Sequence, residues 1–156
     1  MIATKGAEMY KHILIATDGS ELAAKGLAHG GQLAKHVGAK VTIVMVTEPW
    51  SALEMATLAH SGHSDIIQDF EKAAREQATR ILDAAVKALE GTGVEVDTVH
   101  IADSHPAEGI LRAAKEKGCD LIVMASHGRR GIRRLVLGSQ TTEVVAHSEI
   151  PVLVIR

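Results

Sequence analysis

The chain predicts a doubly wound α/β fold, a parallel sheet with helices on both faces, and three observations carry that expectation. Short aliphatic runs alternate with longer segments of helical periodicity, giving five strands separated by four helices. The runs are apolar at successive positions, as in strands buried on both faces. Aromatic residues are limited to Trp50, Tyr10 and Phe70, so a chain that is 46% hydrophobic must fill its core with Val, Ile, Leu and Ala. Parallel strands so connected require right-handed crossovers, and the helical segments supply them.

The first nine residues match no structural period and are expected to form a disordered tail, leaving residues 10–156 as a single domain. His12 to Ala16 reads as the first strand, and Thr17-Asp18-Gly19-Ser20 as its turn. Leu22, Ala23, Leu27, Ala34 and Val37 then fit a helix closed by Gly38. Val41 to Thr47, rich in β-branched residues, is the second strand. The stretch from Glu48 to Gly62, with Pro49 near its start, reads as an irregular loop or lid.

From Ser64 to Glu90, the residues Ile67, Phe70, Ala74, Ala78, Ile81, Ala85 and Leu89 recur at helical spacing and predict one continuous apolar face, stopped by Gly91 to Gly93. Val94 to Ile101 alternates in polarity and belongs at a sheet edge. Pro106 suits the first turn of a helix carrying Ile110, Leu111 and Ala114 and ended by Gly118. Leu121 to Met124 is a strand buried on both faces. A short helix follows, with Ser139 as its N-cap, Glu143 in its first turn and Val144 and Val145 on its apolar face. Pro151 leads into the last strand, Val152 to Ile155.

Composition excludes several functions. A net charge of −2 gives no footprint for bulk nucleic-acid or anionic-membrane binding, and the basic cluster of Arg129, Arg130, Arg133 and Arg134 is local. Cys119 stands alone, so it forms neither an internal disulfide nor a cysteine-based zinc site. His60 and His63 lack a third ligand nearby and read as solvated residues rather than a metal site. No segment approaches the roughly 20 apolar residues of a membrane span, and the N-terminus lacks the apolar core of a signal peptide, so the cytoplasm is the expected location. There is no Gly-Lys-Ser or Gly-Lys-Thr of a P-loop, no nucleophile elbow and no zinc-protease spacing. No catalytic residue is assigned, and the expected role is binding rather than fast catalysis.

The segment from Leu121 to Thr142 carries the chemistry. A buried strand opens into a glycine-bearing, arginine-rich loop that ends in Gly138-Ser139 at the start of a helix, which is the layout of a phosphate cradle. Free backbone N–H groups at a helix start, with the partial positive charge there, suit an anion. If the first strand is central, Asp18 comes to lie beside Ser126, His127 and Gly128, where the winding of the sheet reverses. Each residue also has a plainer reading: the glycines shape a surface turn, Asp18 shapes the turn before the first helix, and the arginines form a solvated face.

Taken together, these segments resemble the universal stress protein family from about Tyr10 to Arg156. The family's nucleotide signature, Gly, two residues, Gly, nine residues, then Gly with Ser or Thr, is met by Ala125, Ser126-His127, Gly128, residues 129–137, and Gly138-Ser139. ILIATDGS near the start, SHPAEGI before the third helix and the closing PVLVIR are similar to family segments. The departures are Ala125 in place of the first glycine and Ser104 where a glycine is common. A Cβ at Ala125 costs little if its backbone is extended, and clashes if φ is positive or if the ligand touches the Cα.

The resemblance implies strand order 3-2-1-4-5 and an adenine nucleotide, ATP or AMP, with Mg²⁺ as a companion of ATP. It implies that Ala16, Thr17 and Asp18 border the adenine and ribose, and that Val46 offers backbone hydrogen bonds to the adenine edge. Met124 and the loop from Ala125 through Ser126, His127 and Gly128 to Arg129 would follow the ribose and first phosphate. Gly138, Ser139, Gln140 and Thr141 would hold phosphate oxygens. It further implies a homodimer paired through Val152 to Ile155 and a sensor of stress or energy state read by a regulatory protein partner. Two other readings are a slow Mg²⁺-dependent ATP hydrolase and a dimerisation module without nucleotide.

Overall fold

The computed structural model describes residues 9–60, 62, 64–128 and 137–156. Its strands are β1 (His12–Ala16), β2 (Lys40–Val46), β3 (Val96–Ile101), β4 (Leu121–Ala125) and β5 (Val152–Ile155). They form one parallel sheet in the order β3-β2-β1-β4-β5, as the family resemblance implies. β1 is central: Ile13 aligns with Val41 on one side and Leu121 on the other. The expected tail, residues 1–9, lies outside the described residues apart from Met9.

The five helices are α1 (Glu21–Val37), α2 (Ala52–His60), α3 (Ser64–Leu89), α4 (Pro106–Lys117) and α5 (Ser139–His147). Alternate strand residues feed two cores, because successive side chains point to opposite faces. Ile13, Ile15, Ile43 and Val123 pack with Leu27 and Ala34 of α1 and with Ala78, Leu82 and Leu89 of α3. Leu14, Val44, Ile122 and Met124 pack with Ile110 and Ala113 of α4 and Val144 of α5. Both faces of the central strands are buried, which explains their uninterrupted apolar sequence.

Local signals set the helix ends. Ser20 caps α1 by accepting the Ala23 N–H at 3.2 Å, and Gly38 closes it in the left-handed conformation at φ 72°. Gly118, at φ 66°, closes α4 in the same way. α1 sits close to the sheet because Gly30 has no side chain: a Cβ there would lie 2.6 Å from Ile15 Cδ1.

Four expectations need correction. The segment after β2 is not all loop, because α2 forms within it. Ser51 and Glu54 make a capping box, with Ser51 N donating to Glu54 Oε2 at 2.8 Å and Glu54 N donating to Ser51 Oγ at 3.2 Å. Phe70 does not join the buried face of α3. It is 54% exposed and meets Trp50 edge-on at 5.2 Å, and Ala78 is the first buried residue among those described in α3. The N-cap of α5 is Gly138 rather than Ser139, which is the first helical residue; Glu143 therefore falls beyond the first turn. Val145 is exposed, and Val144 alone of the pair enters the core. The strand limits also shift slightly, to Lys40–Val46 for β2 and Val96–Ile101 for β3.

At the amino edge of the sheet, the Asp120 carboxylate accepts the Lys11 N–H at 2.8 Å and the His12 N–H at 3.2 Å, tying the start of β1 to that of β4. Buried His12 and Thr42 pair across β1 and β2, with Nε2 2.7 Å from Oγ1.

Candidate functional site

The carboxyl ends of β1 and β4 meet at the winding reversal, as expected for an open α/β sheet. After Ala16, the chain turns through Thr17 and Asp18. Gly19 N donates to Thr17 Oγ1 at 3.2 Å and Ser20 N to Asp18 Oδ1 at 2.9 Å, so both side chains brace the turn. The plainer reading of Asp18 as a turn residue is thus correct as far as it goes. The same carboxylate also reaches across to the segment that follows β4: a Cβ built on Gly128 would lie 2.8 Å from Asp18 Oδ2. Two segments 110 positions apart in the numbering converge there, and glycine leaves the room they need.

Ala125 is the last residue of β4, in strand conformation, so its backbone carries the Cβ without strain where the signature has glycine. It is buried, as are Met124 and Ser126, while His127 is half-buried and Gly128 exposed. The chain leaves the sheet at Ser126, whose N–H donates to Ile155 O at 2.7 Å. It returns at Gly138, whose N–H donates to Ser126 O at 2.7 Å. A Cβ on Gly138 would meet His127 Cα at 3.2 Å and Ser126 O at 3.3 Å. Glycine therefore lets the helix start press against the strand end. Arg129, and with it the cluster of Arg130, Arg133 and Arg134, lies outside the described residues.

α5 begins at this junction. Its N-cap is a glycine without a side chain to bond the first turn, so the N–H groups of the first residues keep their capacity for an external acceptor. Thr141 is buried and donates its hydroxyl to Ala125 O at 3.0 Å, anchoring the helix to β4. Gln140 turns its side chain away to α4, where Oε1 accepts the Ala107 N–H at 2.9 Å. Only the backbones of Gln140 and Thr141 are thus left to serve the junction, and the side chain of Met124 belongs to the core beneath α4 and α5. Sequence spacing held no sign of the Gln140 bond, which joins residues 33 positions apart on two different helices.

Val46 ends β2 on the other side of β1. Val44 O accepts the Thr17 N–H at 3.0 Å, whereas Thr47 N donates in the opposite direction, to Ile101 O at 2.8 Å. Peptide groups alternate sides along a strand, so those of Val46 face the β1 side at the level where β1 has already turned away. The carboxyl edge of the sheet thus offers peptide groups at Val46, a carboxylate at Asp18 and an N–H-bearing helix start at Ser139. Such a set suits a ligand with a hydrogen-bonding edge at one end and an anion at the other.

Among the described residues, no group of three His, Cys, Asp or Glu side chains could hold a metal. His60 Nδ1 lies 3.2 Å from the Ala56 carbonyl, and His63 is outside the described residues. No helix among the described residues is long and apolar enough to cross a membrane.

A model of the universal stress protein family matches residues 9–156. Universal stress protein MJ0531 of Methanocaldococcus jannaschii is 31% identical over 99% of this chain and 87% of its own. Among solved structures, that of MJ0577, a universal stress protein of the same organism, superposes with a TM-score of 0.75 at 29% identity, covering 94% of this chain and 96% of its own. The universal stress protein of Archaeoglobus fulgidus in complex with dAMP shares the fold at a TM-score of 0.66 and 20% identity, covering 95% and 99% of the two chains.

Proposed function

The chain belongs to the universal stress protein family, and we propose that it binds an adenine nucleotide, ATP or AMP, in the crevice at the ends of β1 and β4. The observation that carries this reading is the glycine-capped start of α5, held against Ser126 and His127 beside the Asp18–Gly128 contact. An anion at this helix start would gain both unsatisfied N–H groups and the helix dipole. The dAMP-bound neighbour supports adenine as the other end of the ligand.

In this reading, the phosphates sit on the backbone N–H groups of Ser139, Gln140 and Thr141, with Gly138, whose own N–H is taken by Ser126 O, allowing their close approach. The ribose and first phosphate follow Ala125 to Gly128 and reach Arg129. Asp18, with the backbone of Ala16 and Thr17, borders ribose and adenine, and the Val46 peptide groups meet the adenine edge. Mg²⁺ would accompany ATP by neutralising its phosphates. The chain lacks the P-loop lysine that would neutralise β and γ phosphates, so binding rather than turnover is the function.

Occupancy signals stress or energy state in the cytoplasm by shifting the population of a surface that a regulatory protein reads. The protein acts as a homodimer paired through Val152 to Ile155. Support for that pairing comes from the edge position of β5 and its 37% exposed Leu153.

The test is calorimetric titration of the wild type and Gly138→Val with ATP, ADP and AMP, alongside phosphate release in Mg²⁺. Micromolar binding lost in the variant, without turnover, upholds the proposal. Absence of binding would favour a dimerisation module, and Mg²⁺-dependent turnover lost in Asp18→Ala would favour a slow hydrolase.

A further inference from the structure

Gln140 occupies two places at once. Its backbone lies in the first turn of α5, where the phosphate is proposed to sit, and its side chain ends on a different helix. Oε1 accepts the N–H of Ala107, the second residue of α4, at 2.9 Å. The first N–H groups of a helix have no partner within it, and a side-chain acceptor is the usual remedy. His105, the N-cap residue of α4, makes no side-chain bond of that kind. Gln140 therefore caps α4 from outside, on a buried residue.

The capped turn leads on to the other end of the crevice. Gly109, two residues after Ala107, has no side chain, and a Cβ there would lie 2.7 Å from Val46 Cγ2. The start of α4 is thus packed directly on Val46, whose peptide groups face the site. Preceding α4, Asp103 holds a left-handed backbone at φ 52°, uncommon for a residue other than glycine. Ser104 is buried and donates its N–H to Thr47 O at 3.2 Å, next to Val46. Asp103 and His105 on either side of it are exposed.

We infer that Gln140 is a positioning residue that couples phosphate binding at the start of α5 to the first turn of α4, so that nucleotide occupancy is displayed on the Asp103–His105 turn. The inference rests on the nucleotide reading above. A phosphate held by the Ser139 and Gln140 N–H groups fixes the first turn of α5 and with it the direction of the Gln140 side chain. The cap on Ala107 tightens, and the α4 turn with its left-handed Asp103 is held in one conformation. Without the anion, the first turn of α5 opens more often and the cap loosens. A neutral amide fits both duties, for it presents an acceptor to Ala107 without placing a negative charge beside the phosphate.

The experiment follows amide hydrogen exchange at Ala107 by NMR, with and without AMP, in the wild type, Gln140→Ala and Gln140→Glu; AMP affinity is measured separately by calorimetry. AMP is expected to slow Ala107 exchange in the wild type. Without AMP, Gln140→Ala should exchange about fivefold faster than the wild type, the usual effect of losing one helix cap, and AMP should no longer slow it. Gln140→Glu keeps the acceptor and should restore slow exchange, while binding AMP at least about tenfold more weakly because of its charge. A residue that merely supported the fold would not give this opposite pattern. Wild-type protein that binds AMP with Ala107 exchange unaltered overturns the coupling alone. Unaltered AMP sensitivity in Gln140→Ala overturns it equally. If the wild type binds no adenine nucleotide, the nucleotide reading itself falls, and the coupling with it.

Discussion

Gly109 of α4 and Val46 of β2 approach so closely that a Cβ on the glycine would lie 2.7 Å from one Val46 methyl and 2.8 Å from the other. Val46 is branched at Cβ and rotates little, so the contact leaves no easy escape. Gly109→Ala is expected to destabilise the protein by about 1–3 kcal/mol through overpacking, against a gain of at most about 1 kcal/mol in helix propensity. A fall in the urea midpoint at unchanged m-value is the outcome to look for. An unchanged midpoint would mean that α4 can slide on the sheet.

Gly138→Val places a branched side chain where even a Cβ would come within 3.2 Å of His127 Cα and 3.3 Å of Ser126 O. The helix start must move off the strand end. AMP affinity should drop at least about tenfold, equivalent to about 1.4 kcal/mol, while far-ultraviolet circular dichroism stays that of the wild type. Wild-type affinity in a folded variant would remove the start of α5 from the ligand site.

Stability should decline in mild acid because of His12. Burial, followed by the charge of Lys40, lowers its pKa below 6.5; a hydrogen bond from the ring to the Lys117 backbone carbonyl and the charges of Asp120 and Asp97 oppose this. The folded protein thus keeps the ring neutral at a pH where the unfolded chain has bound a proton. Above about pH 6.5 the contribution is fully present, and it is lost as pH falls from there through the folded-state value, by at most about 1.4 kcal/mol per unit. Urea midpoints of the wild type and His12→Gln between pH 7.5 and 5 isolate this residue from the other eight histidines. Parallel curves would contradict the assignment.

Cys119 should be nearly inert in the folded protein. Burial, with the nearby Asp120 charge, pushes its thiol up to about 11 from 9.0, which leaves about a hundredfold less thiolate at pH 8. Thiol-reagent kinetics should show slow modification in buffer and fast modification in urea. Equal rates would show that the amino edge of β4 opens readily.

Ser51→Ala breaks the capping box of α2 and should raise amide exchange across that helix about fivefold. The global urea midpoint should move by less than about 0.5 kcal/mol equivalent, because α2 buries none of its residues. A large global loss would mean that α2 takes part in the main folding unit.

Much of this architecture was legible in the sequence because burial on both faces leaves a plain mark. Ile13, Leu14 and Ile15 are apolar in succession since alternate residues meet different helices, and Gly38 and Gly118 stand where left-handed caps are needed. α2 escaped notice because Pro49 suggested a loop, although Ser51 and Glu54 carried the capping-box spacing. Phe70 kept the helical period, yet periodicity cannot tell at which turn the burial of a long helix begins, here at Ala78. The Asp18–Gly128 approach followed from topology and motif together. The Gln140–Ala107 bond did not, because a cap supplied by another helix leaves no local pattern.

The hydrogen bond from Gly138 N to Ser126 O closes the connection after β4 on itself, so its ends are fixed to each other whatever lies between them. Closure entropy grows only logarithmically with length, about 0.6 kcal/mol for each doubling. Lengthening the chain between those two anchored residues would therefore cost the fold little: the bonds of Ser126 to Ile155 and of Gly138 to Ser126 set the register of β4 against β5 and the place where α5 starts, whatever the distance in sequence between them.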